Sequence, residues 1–383
     1  MHILIAPNAF KHALNAQEAA SAIRAGMEAS KLACSCECFP VGDGGNGTCG
    51  LIMDRLGGSF VEVVVDDPLG RPVRASFGLI DDGQRAVIEM ADASGLHLLG
   101  EAELDPLYAT SYGTGQLITA ALDHGARKLI IGMGGSATVD GGSGILAALG
   151  VRFLDEAGAA ITNLPFGLSR LHSLDDTALD GRLAACEITV LCDVANPLLG
   201  ENGAAAVFGP QKGATAEMVE QLEERLRHFA AVVRSATGRD IAAFPSGGVA
   251  GGASAGLVGL LNAKLVNGID YFLQLTQFDD SLSKSQLVIT GEGSIDSQTL
   301  QGKGPYGVAS RARQLGVPVI GLAGRVPAQI AEELNDYFDL LLPIGNAPTT
   351  LAEALPITDM NLTRTALQLG NLMAALKVND TNS

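Results

Sequence analysis

The chain has no tryptophan, and only 12 phenylalanines and 5 tyrosines among 383 residues. It is also short of positive charge: 25 Lys and Arg face 42 Asp and Glu, a formal net charge of −17 at pH 7. Without a basic field a protein cannot displace counterions from a polyanion, which sets aside nucleic acid and anionic membrane as partners. No apolar run reaches membrane length before Gly, Ser or Thr breaks it. The segment MHILIAP lacks the basic start of a signal peptide, so it reads as a first strand in a cytoplasmic protein. The six cysteines offer no C-x-x-C pair. Cys34, Cys36 and Cys38 alternate on one face of a strand, and buried free thiols are the expectation. No Walker A motif occurs, nor a protein-kinase catalytic loop, and a serine hydrolase is set aside for want of a nucleophile elbow.

Glycine and small apolar residues are what the chain has in quantity. There are 48 glycines, and 47% of residues are hydrophobic, the composition of an α/β enzyme. The length suggests two domains, one interrupting the other. The central stretch is Leu129–Gly144, LIIGMGGSATVDGGSG. A short apolar run enters a glycine-rich loop with one carboxylate, Asp140. Such a loop leaves backbone N–H groups free at a strand's carboxyl end, a ready anion site.

The same texture recurs at both ends of the chain. His2–Ala6 reads as a strand stopped by Pro7, and Asn15 with Glu18 as the capping box of a helix. Cys34–Phe39 is a second strand, running into the loop Pro40–Thr48 and a helix that stops at Gly57. Phe60–Val65, Val73–Ile80 and Ala86–Met90 read as a meander with a turn at Asp82-Gly83. Strand and glycine loop return at Leu287–Asp296, followed by helices and the strands Val317–Ala323 and Phe338–Leu342. The expectation is an open parallel-sheet domain of Rossmann or flavodoxin type built from residues 1–58 and 270–383. A second α/β domain, 59–269, is inserted between them and begins with the meander. Ligands of open sheets lie beyond strand carboxyl ends.

Candidate acids and bases sit in those loops: Asp43, Asp140, Asp193, Glu292 and Asp296. Asp193 stands out because it ends a strand just before Asn196-Pro197. In so acidic a chain the few loop cations matter: Lys11, Lys212, Lys303 and Arg325 each sit in or beside a Gly- or Pro-containing loop. The rival reading is a nicotinamide dehydrogenase. Gly132-x-Gly134-x-x-Ala137 follows a strand, with Asp155 as the ribose acid about 20 residues on. Against it, the helix that must follow would contain Gly141, Gly142 and Gly144.

Six motifs then carry a resemblance: IAPNAFK (Ile5–Lys11), VGDGGNGT (Val41–Thr48), GMGGSATVDGG (Gly132–Gly142), CDVANPL (Cys192–Leu198), FGPQKGA (Phe208–Ala214) and ITGEGSIDSQTLQGK (Ile289–Lys303). Over nearly its whole length the chain resembles the bacterial glycerate kinases, including the glycerate 2-kinases of glyoxylate and aldarate breakdown. The resemblance implies ATP- and Mg²⁺-dependent phosphorylation of D-glycerate, the 2-hydroxyl favoured, in a cleft between the two domains. On it we expect Asp193, Lys11 and Lys212 to be catalytic, and Gly134, Gly135, Ser136, Thr138 and Lys303 to bind nucleotide. Asn8, Lys11 and Arg325 are expected to bind substrate, and Asp43, Asp193 and Glu292 to hold metal. Four positions depart from the family pattern. Asn8, His12 and Asn46 stand in place of acids, and Ser294 in place of an Arg.

Overall fold

The structure is a computed structural model and describes residues 1–380. It divides into two compact units. One joins Met1–Asp43 to the chain from Ile269 onward, and the other is Gly44–Gly268.

The first unit holds a five-stranded parallel sheet. Across it run Leu340–Pro343, Val319–Arg325, Leu287–Ser294, His2–Ile5 and Ser35–Cys38. Numbered along the unit, that order is 2-1-3-4-5, the flavodoxin arrangement. Its direction of winding reverses between His2–Ile5 and Leu287–Ser294, so the crevice for a ligand opens at their carboxyl ends. Ile3, Leu4 and Ile5 are fully buried, as a strand covered on both faces requires. The helix Ala16–Ala29 starts at the Asn15–Glu18 capping box and turns Ala20, Ile23 and Met27 inward. Cys34, Cys36 and Cys38 are half-buried beside that core, and all six cysteines are free thiols.

The second unit is a six-stranded mixed sheet. Lys264–Asn267, Glu187–Cys192, Lys128–Gly132 and Arg85–Glu89 run parallel, and Pro72–Ile80 and Ser59–Asp66 complete the antiparallel meander. The helix Thr48–Leu56 ends at Gly57, whose φ of +72° suits glycine, and groups with this unit. Strand Lys264–Asn267 follows directly, because the helix Ala253–Leu261 stops at Asn262 in the left-handed conformation. Three-residue strands Arg152–Leu154 and Ser173–Asp175 form a separate pair.

Candidate functional site

Each unit carries its own group of polar residues at the carboxyl ends of parallel strands. In the first unit the chain stays extended past Ile5. Ala6 N donates to Ile289 O and Asn8 N to Gly291 O, both at 2.8 Å. This sets Asn8 beside the end of Leu287–Ser294. Its Oδ1 accepts from Ala9 N, and its Nδ2 donates to Asp43 Oδ2 at 2.8 Å. Lys11 and His12 are exposed in the turn between Phe10 and Leu14, with His12 at φ +66°.

Glu292 is the buried acid here, 8% exposed, and its Oε1 accepts from Thr299 Oγ1 at 2.9 Å. Burial pushes its carboxyl up to about 7; Lys303 and the Thr299 bond pull it down, Asp43 pushes it up, and Lys11 pulls it down. Glu292, Asp43, Lys303 and Lys11 are thus one electrostatic group. Lys303 stands at the N-cap of the helix Gly304–Gln314. Gly304 lies so close to Asn8 that a Cβ there would be 2.8 Å from Asn8 Nδ2. Asp296 is largely used in its own turn, accepting from Gln298 N at 2.9 Å. Arg325 is exposed and pairs in register with Ser294.

In the second unit the loop after Lys128–Gly132 is closed by Lys212. This lysine is 2% exposed, and its Nζ donates to Ser136 Oγ at 2.8 Å and to Thr138 O at 2.7 Å. Burial pulls its ammonium down to about 7, with the Asp140 charge acting the other way. Asp140 is fully buried and accepts from Ser111 N, Ser111 Oγ, Gly142 N and Gly144 N. It is therefore the pin of the loop, fixing where Lys212 sits. The hydroxyls of Thr138 and Ser143 are buried there without a partner among the described residues. Gly134 is half-buried and Gly135 exposed. Asp193 is half-buried directly beyond Glu187–Cys192; burial, with the Asp193 charge adding to it, pushes the Cys192 thiol up to about 12.

Of the residues named from the sequence, the structure brings Lys212 to Ser136 and Thr138, and Asp43 to Asn8 and Glu292. Sequence reasoning missed Thr299, Ser111 and Glu89. Glu89 ends an apolar strand, and that lone charge after Ala86–Ile88 was the available signal. No three His, Cys, Asp or Glu side chains converge on a metal-sized point among the described residues.

The structure removes the dehydrogenase rival. The helix after Gly132-x-Gly134-x-x-Ala137 starts only at Ser143, and Asp155 accepts from Ala157 N and Ala159 N in its own turn. A hydrolase fails for a different reason than the sequence reading gave. Gly252-Ala253-Ser254-Ala255-Gly256 does have the G-x-S-x-G form. Ser254, however, is fully buried inside the helix Ala253–Leu261 and donates to Ser246 O at 2.6 Å, so no elbow presents it.

What the fold and these groups define is an α/β protein whose strand ends carry a glycine loop with a buried lysine in one unit and a group of acids and lysines in the other. A sequence model of the "Glycerate kinase family" matches residues 3–374, and the chain belongs to that family. It is 46% identical over 366 residues to a glycerate kinase of Bacillus subtilis, covering 96% of each chain. It is 41% identical over 374 residues to a glycerate 2-kinase of Escherichia coli, covering 98% of each. The crystal structure of a putative glycerate kinase 2 from Salmonella typhimurium LT2 superposes with a TM-score of 0.83 at 42% identity, covering 100% of this chain and 99% of that one.

Proposed function

We propose that the protein transfers the γ-phosphoryl group of ATP to the 2-hydroxyl of D-glycerate. The observation that carries this reading is Lys212, buried with its ammonium on Ser136 and Thr138 in the strand-end glycine loop. A cation held at such cost to its own ionisation is used when an anion arrives to restore its charge. The nucleotide phosphates take the amide of Gly135, the Ser136 hydroxyl and Lys212, while Gly134, whose own N–H is spent on Gly44 O, shapes the loop. Thr138 contributes through the carbonyl that orients Lys212. Lys303, at the N-cap of the helix Gly304–Gln314, is a second candidate cation for nucleotide.

Phosphoryl transfer is mainly positioning and neutralisation of charge. Lys11, Arg325 and the amide of Asn8 hold the glycerate carboxylate. Asp193, fixed by its strand end, accepts the proton of the attacking hydroxyl. Asp43 and Glu292 fit a hard divalent cation. Both are oxygen donors, and burial and mutual repulsion are what lift the Glu292 carboxyl, a strain that a cation relieves. Two protein carboxylates are also the usual number for Mg²⁺, which takes its other ligands from phosphate and water. When bound, Mg²⁺ supplies neutralisation of the phosphate charge.

The experiment is ADP release, coupled to an indicator, across a panel of short hydroxy acids with MgATP. Glycerate is expected to be the acceptor. Turnover with NAD and no ADP release would overturn the reading.

A further inference from the structure

The buried acid Glu89 has no part in the chemistry above, yet it stands level with the phosphate loop. Strand Arg85–Glu89 runs parallel to Lys128–Gly132 with Glu89 and Gly132 in register, so both leave the sheet at the same height. Glu89 is 7% exposed. Its two oxygens are both used. Oε2 accepts from Gly47 N at 2.9 Å and Oε1 from Cys49 N at 2.6 Å. These amides begin the helix Thr48–Leu56, whose first residue is preceded by the loop Gly44–Gly47.

That loop lies directly on the phosphate loop. Gly44 O accepts from Gly134 N at 3.0 Å. A Cβ on Gly132 would come within 2.9 Å of Gly44 O, and one on Gly134 within 2.5 Å of Gly45 Cα. A Cβ on Gly135 would meet Asn46 Oδ1 at 2.3 Å. On its other side Gly44 packs on Leu191, two residues before Asp193. Thr48 ties the loop to itself, its Oγ1 donating to Gly45 O and accepting from Gly44 N. Thr48 thus shapes the loop, while the bonds to Glu89 fasten it to the sheet.

We propose that Glu89 is a positioning residue for phosphoryl transfer: its carboxylate fastens the Gly44–Gly47 loop, and that loop, bonded to the Gly134 N–H, holds Gly135 and Ser136 in place to receive phosphate. The inference rests on the kinase reading above. The groups facing Glu89 are the amides of Gly47 and Cys49, the Cys49 thiol and the Asp92 carboxylate, whose charge disfavours ionisation of Glu89. The two N–H bonds favour the ionised form. Only the carboxylate can accept from both amides, since an amide side chain would turn an NH₂ toward one N–H.

The test is Glu89→Gln in the full chain, read by steady-state kinetics and by amide hydrogen exchange. The melting temperature should stay within a few degrees of wild type. Exchange should rise at residues 44–49 and 132–136 and nowhere else. With glycerate and MgATP, kcat should fall at least tenfold, KM for ATP should rise several-fold, and KM for glycerate should stay within twofold. Faster exchange in those segments with unchanged kcat and KM overturns the proposal and leaves Glu89 a helix cap only. Unchanged exchange overturns it as well. If Glu89→Gln does not fold, Glu89→Asp decides, because it keeps the charge and shortens the reach. A threefold or larger loss of kcat/KM for ATP supports the proposal, and wild-type kinetics overturn it. Failure of the kinase reading looks different, since the wild-type protein then releases no ADP at all.

Discussion

Lys212 and Asp193 are the two side chains on which the chemistry rests most. Lys212→Met keeps length and suits a buried site, while removing the charge and the bonds to Ser136 and Thr138. We expect a loss of about 10²–10³ in kcat with the fold retained, the usual effect of deleting one transition-state stabiliser in a dry site. Asp193→Asn keeps shape and removes the base, so kcat should fall by about 10²–10⁴ with little change in ATP affinity. Steady-state kinetics with isothermal titration of ATP separates the two. Near-normal turnover in Asp193→Asn would move the base to another carboxylate. Asp140 is a different kind of acid. Four donors already point at it, so it holds the loop and is not free to accept a proton.

At the scale of elements, the glycine loops work because backbone meets backbone. Gly134→Ala puts a Cβ 2.5 Å from Gly45 Cα, where only main chain could yield. The expected cost is about 1–3 kcal/mol, as for other overpacked sites, with a raised KM for ATP. Thermal unfolding and kinetics on the variant check both parts. Much of this level was legible in the sequence. The strands entering the loops at Pro7 and Met133 were visible because burial on both faces demands unbroken apolar runs, whereas the strand from Leu287 runs four residues past its apolar run, since Gly291–Ser294 stay paired in the sheet instead of forming a loop. The Asn15–Glu18 capping box was visible because its two bonds fix residue types at fixed spacing. Strand Lys264–Asn267 was not, because four residues carry no period that separates strand from helix. Lys212 could be named as a loop cation, but not as buried, since its burial is set by Ser136 and Thr138, which lie more than 70 residues away in sequence. Glu89 was hidden for the same reason. Its partners Gly47 and Cys49 come from a helix start about 40 residues earlier.

At the scale of the whole molecule, three buried groups titrate near neutrality and set the pH dependence of stability. Glu89 and Glu292 have folded-state values raised from 4.5 to about 7. Between those pH values the native state holds protons that the unfolded chain has released, so stability is lost as pH rises toward about 7. Lys212 is lowered from 10.5 to about 7, so the unfolded chain binds more protons above that pH and stability recovers toward alkaline pH. The contribution of these three groups is therefore smallest near pH 7. On the reading proposed above, ATP brings an anion to Lys212, so MgATP should raise the melting temperature most there. Thermal shift between pH 5 and 9, with and without MgATP, checks this. A stabilisation by MgATP that does not vary with pH would separate ligand binding from these groups.

The central claim is a reaction, and its product tests it most directly. D-Glycerate and MgATP are incubated with the protein, and the organic phosphate formed is read by phosphorus NMR with proton coupling. The account predicts a phosphoester whose phosphorus couples to the single proton on carbon 2, formed in step with ADP. Coupling to the two protons of carbon 3 would contradict the regiochemistry, and no phosphoester with glycerate present would contradict the account itself.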